Sequence, residues 1–306
     1  MIHSQLSHAI EQTCQVLIGK QQQVKLALSC LLANGHLLIE DLPGMGKTTL
    51  SHTLAKVLGL DYSRIQFTSD LLPADILGIN IFDSTAQKFH FHPGPIFSQV
   101  VLADEINRAS PKTQSALLEA MEEQQVSLDG ETHVLPSPFF VIGTQNPRHQ
   151  SGTYPLPESQ LDRFLMRIQL GYPDQQAEKR MLQEQYHSKQ GDLLPALSVA
   201  EFQGAQLKVS QVHASDPLLN YILRLVTFSR ESELFANPLS PRASKAILNG
   251  AKSWAFINKR DYLLPEDVQA ILPSVAEHRL RSGSADFSTL GSLSKLLLEA
   301  VDPLAP

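Results

Sequence analysis

The sequence predicts an α/β domain built on a parallel sheet and followed by a wholly helical domain. Three observations carry that prediction. Apolar runs of strand length alternate with helical patterns through the first half. A strand, a glycine-rich loop and a helix follow one another at residues 37–58. From about Gln175 onward the apolar spacing is helical throughout. Strands separated by helices imply parallel pairing in a sheet covered on both faces. At 306 residues the chain has room for two domains, since single cores of that size tend to divide. The turn Gly171-Tyr172-Pro173 sets the expected boundary, 1–172 for the α/β part and 173–306 for the helical part.

A helix around Val24 to Ala33 leads into the first strand, Leu37–Glu40. Further strands are expected at Tyr62–Thr68, Val100–Asp104, Phe139–Thr144 and Leu165–Leu170. Between the second and third, Leu71 to Gln99 combines alternation at Ile79 and Ile81 with the turn His92-Pro93-Gly94-Pro95, which fits a β-hairpin and a short helix. Asp129-Gly130 separates two short alternating runs, Val126–Leu128 and Thr132–Val134. That dipeptide tolerates the positive φ angles of a tight hairpin turn, so a second hairpin is expected there. In the helical half, Leu218, Leu219, Ile222, Leu225 and Val226, then Ile247, Leu248, Ala251, Trp254 and Ala255, fall on one helical face each. Ser240-Pro241 and Leu264-Pro265-Glu266-Asp267 read as helix starts, with Pro in the first turn and acid near the N-terminus.

The loop after the first strand carries the strongest chemical signal. Pro43, Gly44, Met45, Gly46, Lys47, Thr48 and Thr49 form a phosphate-binding P-loop in the strand–loop–helix context it needs. The glycines let backbone N–H groups close on a phosphate chain, and Lys47 adds a point charge near its end. The Thr48 hydroxyl is a magnesium ligand. The following helix adds its dipole and free N–H groups. One position departs from the usual pattern: Asp41 stands where the first glycine is expected.

Val100-Val101-Leu102-Ala103 ends in Asp104 and Glu105, two adjacent carboxylates at the C-terminal end of a strand. Ligands of open α/β sheets bind at that end. Asp104 suits a magnesium partner and Glu105 the base that polarises an attacking water; the bland alternative is a solvated loop. Asn146, at the tip of the strand beside the P-loop strand, can touch the terminal phosphate or the water, or simply begin an Asn-Pro turn. Ser110 and Pro111 open a helix whose stripe Ala116, Leu117, Ala120 and Met121 is core. Arg163, expected on a helix at Leu156–Phe164, can reach into a neighbouring subunit's site or pair locally with Asp162 or Glu158; Arg167 is the reserve. Arg242 lies in the first turn of a helix, where the dipole disfavours a cation, which suggests an anionic partner such as the terminal phosphate.

A net charge of -6 gives no electrostatic support to a DNA or RNA surface. The longest apolar stretches are broken by Lys25, Asn34 and His36, so no membrane span is expected, and the start of the chain lacks the pattern of a signal peptide. The expected compartment is the cytoplasm. Cys14 and Cys30 read as core fillers. The eleven histidines include His90, His92 and His149, but none has the spacing and companion carboxylate of a zinc site.

This set of motifs resembles an AAA+ ATPase and, more narrowly, the MoxR family. The strings that carry the resemblance are Glu-Asp-Leu-Pro-Gly-Met-Gly-Lys-Thr at 40–48, Ala-Asp-Glu-Ile-Asn-Arg-Ala at 103–109 and the helix at 111–123. Gly-Thr-Tyr-Pro-Leu-Pro-Glu-Ser-Gln-Leu-Asp-Arg-Phe at 152–164, Ser-Pro-Arg-Ala at 240–243 and Arg-Asp-Tyr at 260–262 complete it. Asp41 lies within that family's pattern. The resemblance implies ATP with Mg2+, Walker A at Gly44–Thr48, Walker B at Asp104 and Glu105, sensor 1 at Asn146, an arginine finger at Arg163 and sensor 2 at Arg242. It also implies a hexameric ring, chaperone-like remodelling of client proteins, and a partner with a von Willebrand factor A domain. Two other readings compete. One is a chelatase-type ATPase subunit that drives metal insertion; the other is a slowly hydrolysing nucleotide switch. Asn258-Lys259-Arg260-Asp261 matches a guanine-reading motif but sits in the helical half, far from the sheet.

Overall fold

The computed structural model describes residues 2–146, 153–183, 193–282 and 292–304. Two helices, α1 (Ile2–Val16) and α2 (Gln21–Leu32), precede β1 (His36–Glu40) and the P-loop helix α3 (Lys47–Val57). β2 (Tyr62–Gln66) is followed by α4 (Pro73–Leu77) and the antiparallel hairpin β3 (Gly78–Asp83) and β4 (Lys88–Pro93). β5 (Val100–Asp104) leads to α5 (Pro111–Glu123), then to the hairpin β6 (Gln125–Leu128) and β7 (Glu131–Val134) and to β8 (Phe140–Gln145). A single turn, α6 (Glu158–Leu161), precedes β9 (Phe164–Ile168). The remainder is α7 (Gln175–Gln183), α8 (Val199–Ser210), α9 (Asp216–Glu231), β10 (Phe235–Asn237), α10 (Pro241–Ile257), α11 (Pro265–Ala276), β11 (Arg281–Ser282) and α12 (Leu293–Ala300).

The five expected strands form one sheet in the order β2-β5-β8-β1-β9, every pair parallel. Alternation along each strand divides its side chains between two cores. Leu37, Ile39, Val100, Leu102, Phe140 and Ile142 face α1, α2, α3 and the helical half. Leu38, Val101, Ala103 and Val141 face the side covered by α4 and α5. β2 stops two residues short of its expected end because its partner β5 stops at Asp104, which pairs with Gln66. Both hairpins form, and Asp129 (φ 51°) and Gly130 (φ 84°) supply the left-handed turn. The hairpins touch each other: Phe91 stacks on His133 at 3.9 Å, and Asn80 Nδ2 donates to Asp129 Oδ2 at 2.8 Å.

The second half is not wholly helical: β10 and β11 pair as a short antiparallel ribbon. Strands of three and two residues are too short to show a period of two, which is why the helical pattern around them hides them. The predicted starts hold. Ser240 Oγ accepts from Ala243 N at 3.1 Å, with Pro241 as the first helical residue. Asp267 accepts from Leu264 N at 2.9 Å and pairs with Arg260, so the guanine-like motif is part of a helix cap. Cys14 and Cys30 are free thiols, Cys30 fully buried. Among the described residues no helix is long and apolar enough to cross a membrane.

Candidate active site

The P-loop leaves the C-terminal end of β1 at the centre of the sheet. Asp41 is buried there: Oδ1 accepts from Leu42 N at 2.8 Å and Oδ2 from Gly171 N at 2.7 Å. A glycine could do neither, so the departure from the usual pattern has a structural role. Gly44 (φ 83°) and Gly46 (φ 91°) are left-handed, and an added Cβ at Gly44 would meet no atom within 4 Å. The requirement at Gly44 is therefore conformational rather than steric. No side chain caps α3, so its first N–H groups remain available to an anion.

A cavity of about 380 Å³ lies over this helix start, within the size range of small-molecule sites. Pro43, Gly44, Gly46, Lys47, Thr48 and Thr49 line one side. Arg64, Gln66, Asp104, Glu105 and Asn146 line the other. Met45 instead packs against the core. Lys47 is buried; Nζ donates to Asp41 O at 2.5 Å and to Asn146 Oδ1 at 2.9 Å. Burial lowers its pKa, while Asp104 and Asp41 act to raise it.

Both carboxylates of the β5 end reach the cavity. Thr144 Oγ1 donates to Asp104 Oδ1 at 2.6 Å, and Arg64 Nη2 donates to Asp104 Oδ2 at 2.7 Å. Glu105 has left the strand: its backbone is left-handed (φ 57°, ψ 47°), and its N–H donates to Thr144 Oγ1 at 2.9 Å. Asn146 Nδ2 donates to Glu105 Oε1 at 3.1 Å, Gln66 Nε2 donates to Oε2 at 3.0 Å, and Arg108 Nε lies 3.1 Å from Oε2. Asn146 thus bridges the P-loop lysine and the candidate base.

Arg64, Gln66 and Thr144 are site residues that the sequence reading missed. Gln66 and Thr144 carried a signal, as polar residues at the C-terminal ends of the strands flanking the one with the paired carboxylates; Arg64, in the middle of β2, carried none.

The structure does not bring Arg163 and Arg242 into the cavity. Arg163 lies past α6, in the turn before β9 rather than on a helix. Its Nη2 is 2.7 Å from Glu122 Oε2, so its local partner is neither Asp162 nor Glu158. Arg242 meets the same carboxylate, at Oε1, across 2.5 Å. Glu122 is therefore the anion that the first turn of α10 meets within the chain. The Arg163 hydrogen bond is the first cause of its lowered pKa. Asp162 accepts from buried Arg279 Nε at 2.6 Å and from Ser240 Oγ at 3.1 Å, which locks the Arg163 turn to the start of α10. Arg167 is paired with Glu40 at 2.7 Å. His90 and His92 are exposed on the β3–β4 hairpin, and His149 and Pro147 lie outside the described residues. Among the described residues no three His, Cys, Asp or Glu cluster as a metal site.

The donor set fits a magnesium-bound nucleotide. A lysine and an uncapped helix N-terminus answer a phosphate chain, while the Thr48 hydroxyl and Asp104 carboxylate are hard oxygen ligands.

Residues 36–166 match the profile of the ATPase family associated with various cellular activities (AAA), and residues 227–292 match an AAA lid domain. The chain is 45% identical over 281 residues to the uncharacterized protein YeaC of Bacillus subtilis, covering 91% of this chain and 88% of that one. It is 40% identical over 288 residues to Chaperone MoxR1 of Mycobacterium tuberculosis, covering 90% and 75%. It is 29% identical to Protein MoxR of Paracoccus denitrificans, covering 87% and 85%. A crystal structure of a protein from Cytophaga hutchinsonii, provisionally assigned as an ATPase, superposes with a TM-score of 0.88 at 35% identity, covering 98% and 95%.

Proposed function

Since the chain belongs to the MoxR family of AAA+ ATPases, we propose that it hydrolyses ATP with Mg2+ in a hexameric ring and uses the cycle to remodel or mature client proteins. A partner with a von Willebrand factor A domain and a cytoplasmic setting belong to the same reading. So does a division into 1–172 and 173–306, near Gly171-Tyr172-Pro173.

The observation that carries the reading is the continuous set Lys47–Asn146–Glu105 around one cavity. Lys47 and the α3 N-terminus hold the phosphates. Glu105 takes the proton of the attacking water, and Asn146 orients that water. Thr48 and Asp104 would hold Mg2+, which would supply charge neutralisation on the phosphates. Arg163 and Arg242 both pair with Glu122 outside the cavity; in this reading Arg163 exchanges that partner for a neighbouring subunit's nucleotide, as an arginine finger, and Arg242 exchanges it for the terminal phosphate, as sensor 2. Ile79, Ile81, Phe82 and Phe89 on the first hairpin and Tyr154 are exposed rather than core, so they are available to a client.

One observation favours the slower, switch-like alternative. Three donors already engage Glu105, and a base so restrained turns over slowly until it is released. ATP hydrolysis measured against protein concentration, with light scattering in parallel, separates the two. Specific activity that rises as six-fold assemblies form supports the ring. A monomer with constant activity overturns it in favour of the switch.

A further inference from the structure

We propose that Arg64 is a displaceable counter-ion: it pairs with the Asp104 carboxylate and yields that carboxylate when a magnesium-loaded nucleotide docks. This rests on the Mg-ATP reading above, and it concerns how the chain prepares its own acid for the metal.

Asp104 has little freedom. Its side chain is 10% exposed, and Oδ1 is fixed by the Thr144 hydroxyl at 2.6 Å. Oδ2 is the oxygen left for a cation, and Arg64 occupies it with Nη2 at 2.7 Å and Nε at 3.1 Å. The guanidinium itself is mobile in principle, since the Arg64 side chain is 49% exposed and borders the cavity. A buried acid facing an exposed base is an asymmetric pair: the base can swing into water at little cost, whereas the acid cannot leave. Burying a carboxylate without cationic partners is costly, and Arg64, from the neighbouring strand, shares that compensation for Asp104 with Lys47.

The contact reaches further than Asp104. Arg64 Nη2 also donates to Gln66 Oε1 at 3.0 Å, and Gln66 Nε2 donates to Glu105 Oε2 at 3.0 Å. One guanidinium therefore braces the metal-binding acid directly and the candidate base through one amide. Release of Arg64 from Asp104 removes the acceptor-side anchor of Gln66, which loosens the hold on Glu105.

The test is equilibrium binding of a fluorescent, non-hydrolysable ATP analogue to the full chain, titrated with magnesium. Parallel titrations use Arg64→Ala and Arg64→Lys, with folding checked by circular dichroism. A competitor removed should lower the half-saturating magnesium concentration by roughly fivefold in Arg64→Ala, the weight of one partly exposed ion pair. Arg64→Lys keeps the charge but loses the two-pronged contact, so its midpoint should fall between. Where the alanine variant does not fold, the lysine variant carries the test in the same direction. A magnesium midpoint unchanged from the parent overturns the proposal. So does analogue affinity weakened equally with magnesium and with chelator, which would make Arg64 a phosphate ligand instead. A parent protein that binds no analogue at any magnesium concentration defeats the Mg-ATP reading itself, an outcome distinct from both.

Discussion

The Asp41 carboxylate accepts a hydrogen bond from the Gly171 backbone N–H at 2.7 Å, tying the P-loop to the segment where the sheet hands over to the helical half. Lys20 reinforces the same junction by donating to Tyr172 O at 2.7 Å. Asp41→Ala should cost about 1–3 kcal/mol, the penalty for stranding a largely buried donor. Asp41→Asn keeps an acceptor and should cost less. Differential scanning calorimetry checks both, and an alanine variant as stable as the parent would discount the tie.

Glu105→Gln should still bind ATP, because the P-loop and Asp104 are untouched. Turnover should fall by roughly 10²–10⁴, the usual weight of a general base. Single-turnover hydrolysis is the direct measurement. Turnover at the parental rate would remove Glu105 from that role.

Arg163→Ala should lower ring activity by up to roughly 10³–10⁵, as loss of an arginine finger does. Mixing that variant with Lys47→Ala subunits should restore part of it, since some sites then combine an intact P-loop with an intact finger. No recovery in mixed assemblies of normal size would return Arg163 to a local structural role with Glu122.

Acid should destabilise the fold through two neutral histidines, half-buried His36 and buried His278. Val141 N donates to His36 Nδ1 at 3.0 Å, and Nε2 lies 3.2 Å from Met121 O, so the ring is held neutral with its proton on Nε2. Burial pushes its pKa from 6.5 to about 4. Burial and the adjacent Arg279 charge lower His278 as well. Between those two values the unfolded chain binds the proton that the folded chain refuses. Stability from His36 is thus complete above pH 6.5 and declines as pH falls toward 4, by up to about 3 kcal/mol. Urea unfolding at stepped pH tests this: flat stability across the window would contradict it, and His36→Gln should make the slope shallower.

Much of this architecture is legible in the sequence because local chemistry decides it. Leu37–Ile39, Val100–Ala103 and the caps at Ser110 and Ser240 announce themselves through apolar runs and turn residues. Asp104, Glu105 and Asn146 stand at or just past the C-terminal ends of adjacent parallel strands, and Lys47 opens the helix that follows the P-loop strand, so topology brings all four to one edge of the sheet. The partners of Arg163 and Arg242 are not legible. Glu122 precedes them by 41 and 120 residues, and the packing of α5 against the turn before β9 and the start of α10 joins them. Arg64 escapes for another reason: on an edge strand a polar residue reads as solvent-facing, and its ion pair depends on register with β5.

The left-handed backbone at Glu105 sets durability against turnover at a single torsion. A side chain bearing a Cβ is costly there, by about 1–2 kcal/mol relative to glycine. Glu105→Gly would relax the turn, but it would also strand the donors that Asn146, Gln66 and Arg108 give the carboxylate, the first of them buried, so the relief is offset by a loss of similar size. The variant would also lack the proposed base. An engineer raising the melting temperature of this chain should hold position 105 fixed and look for gains elsewhere, because here strain and chemistry are one and the same residue.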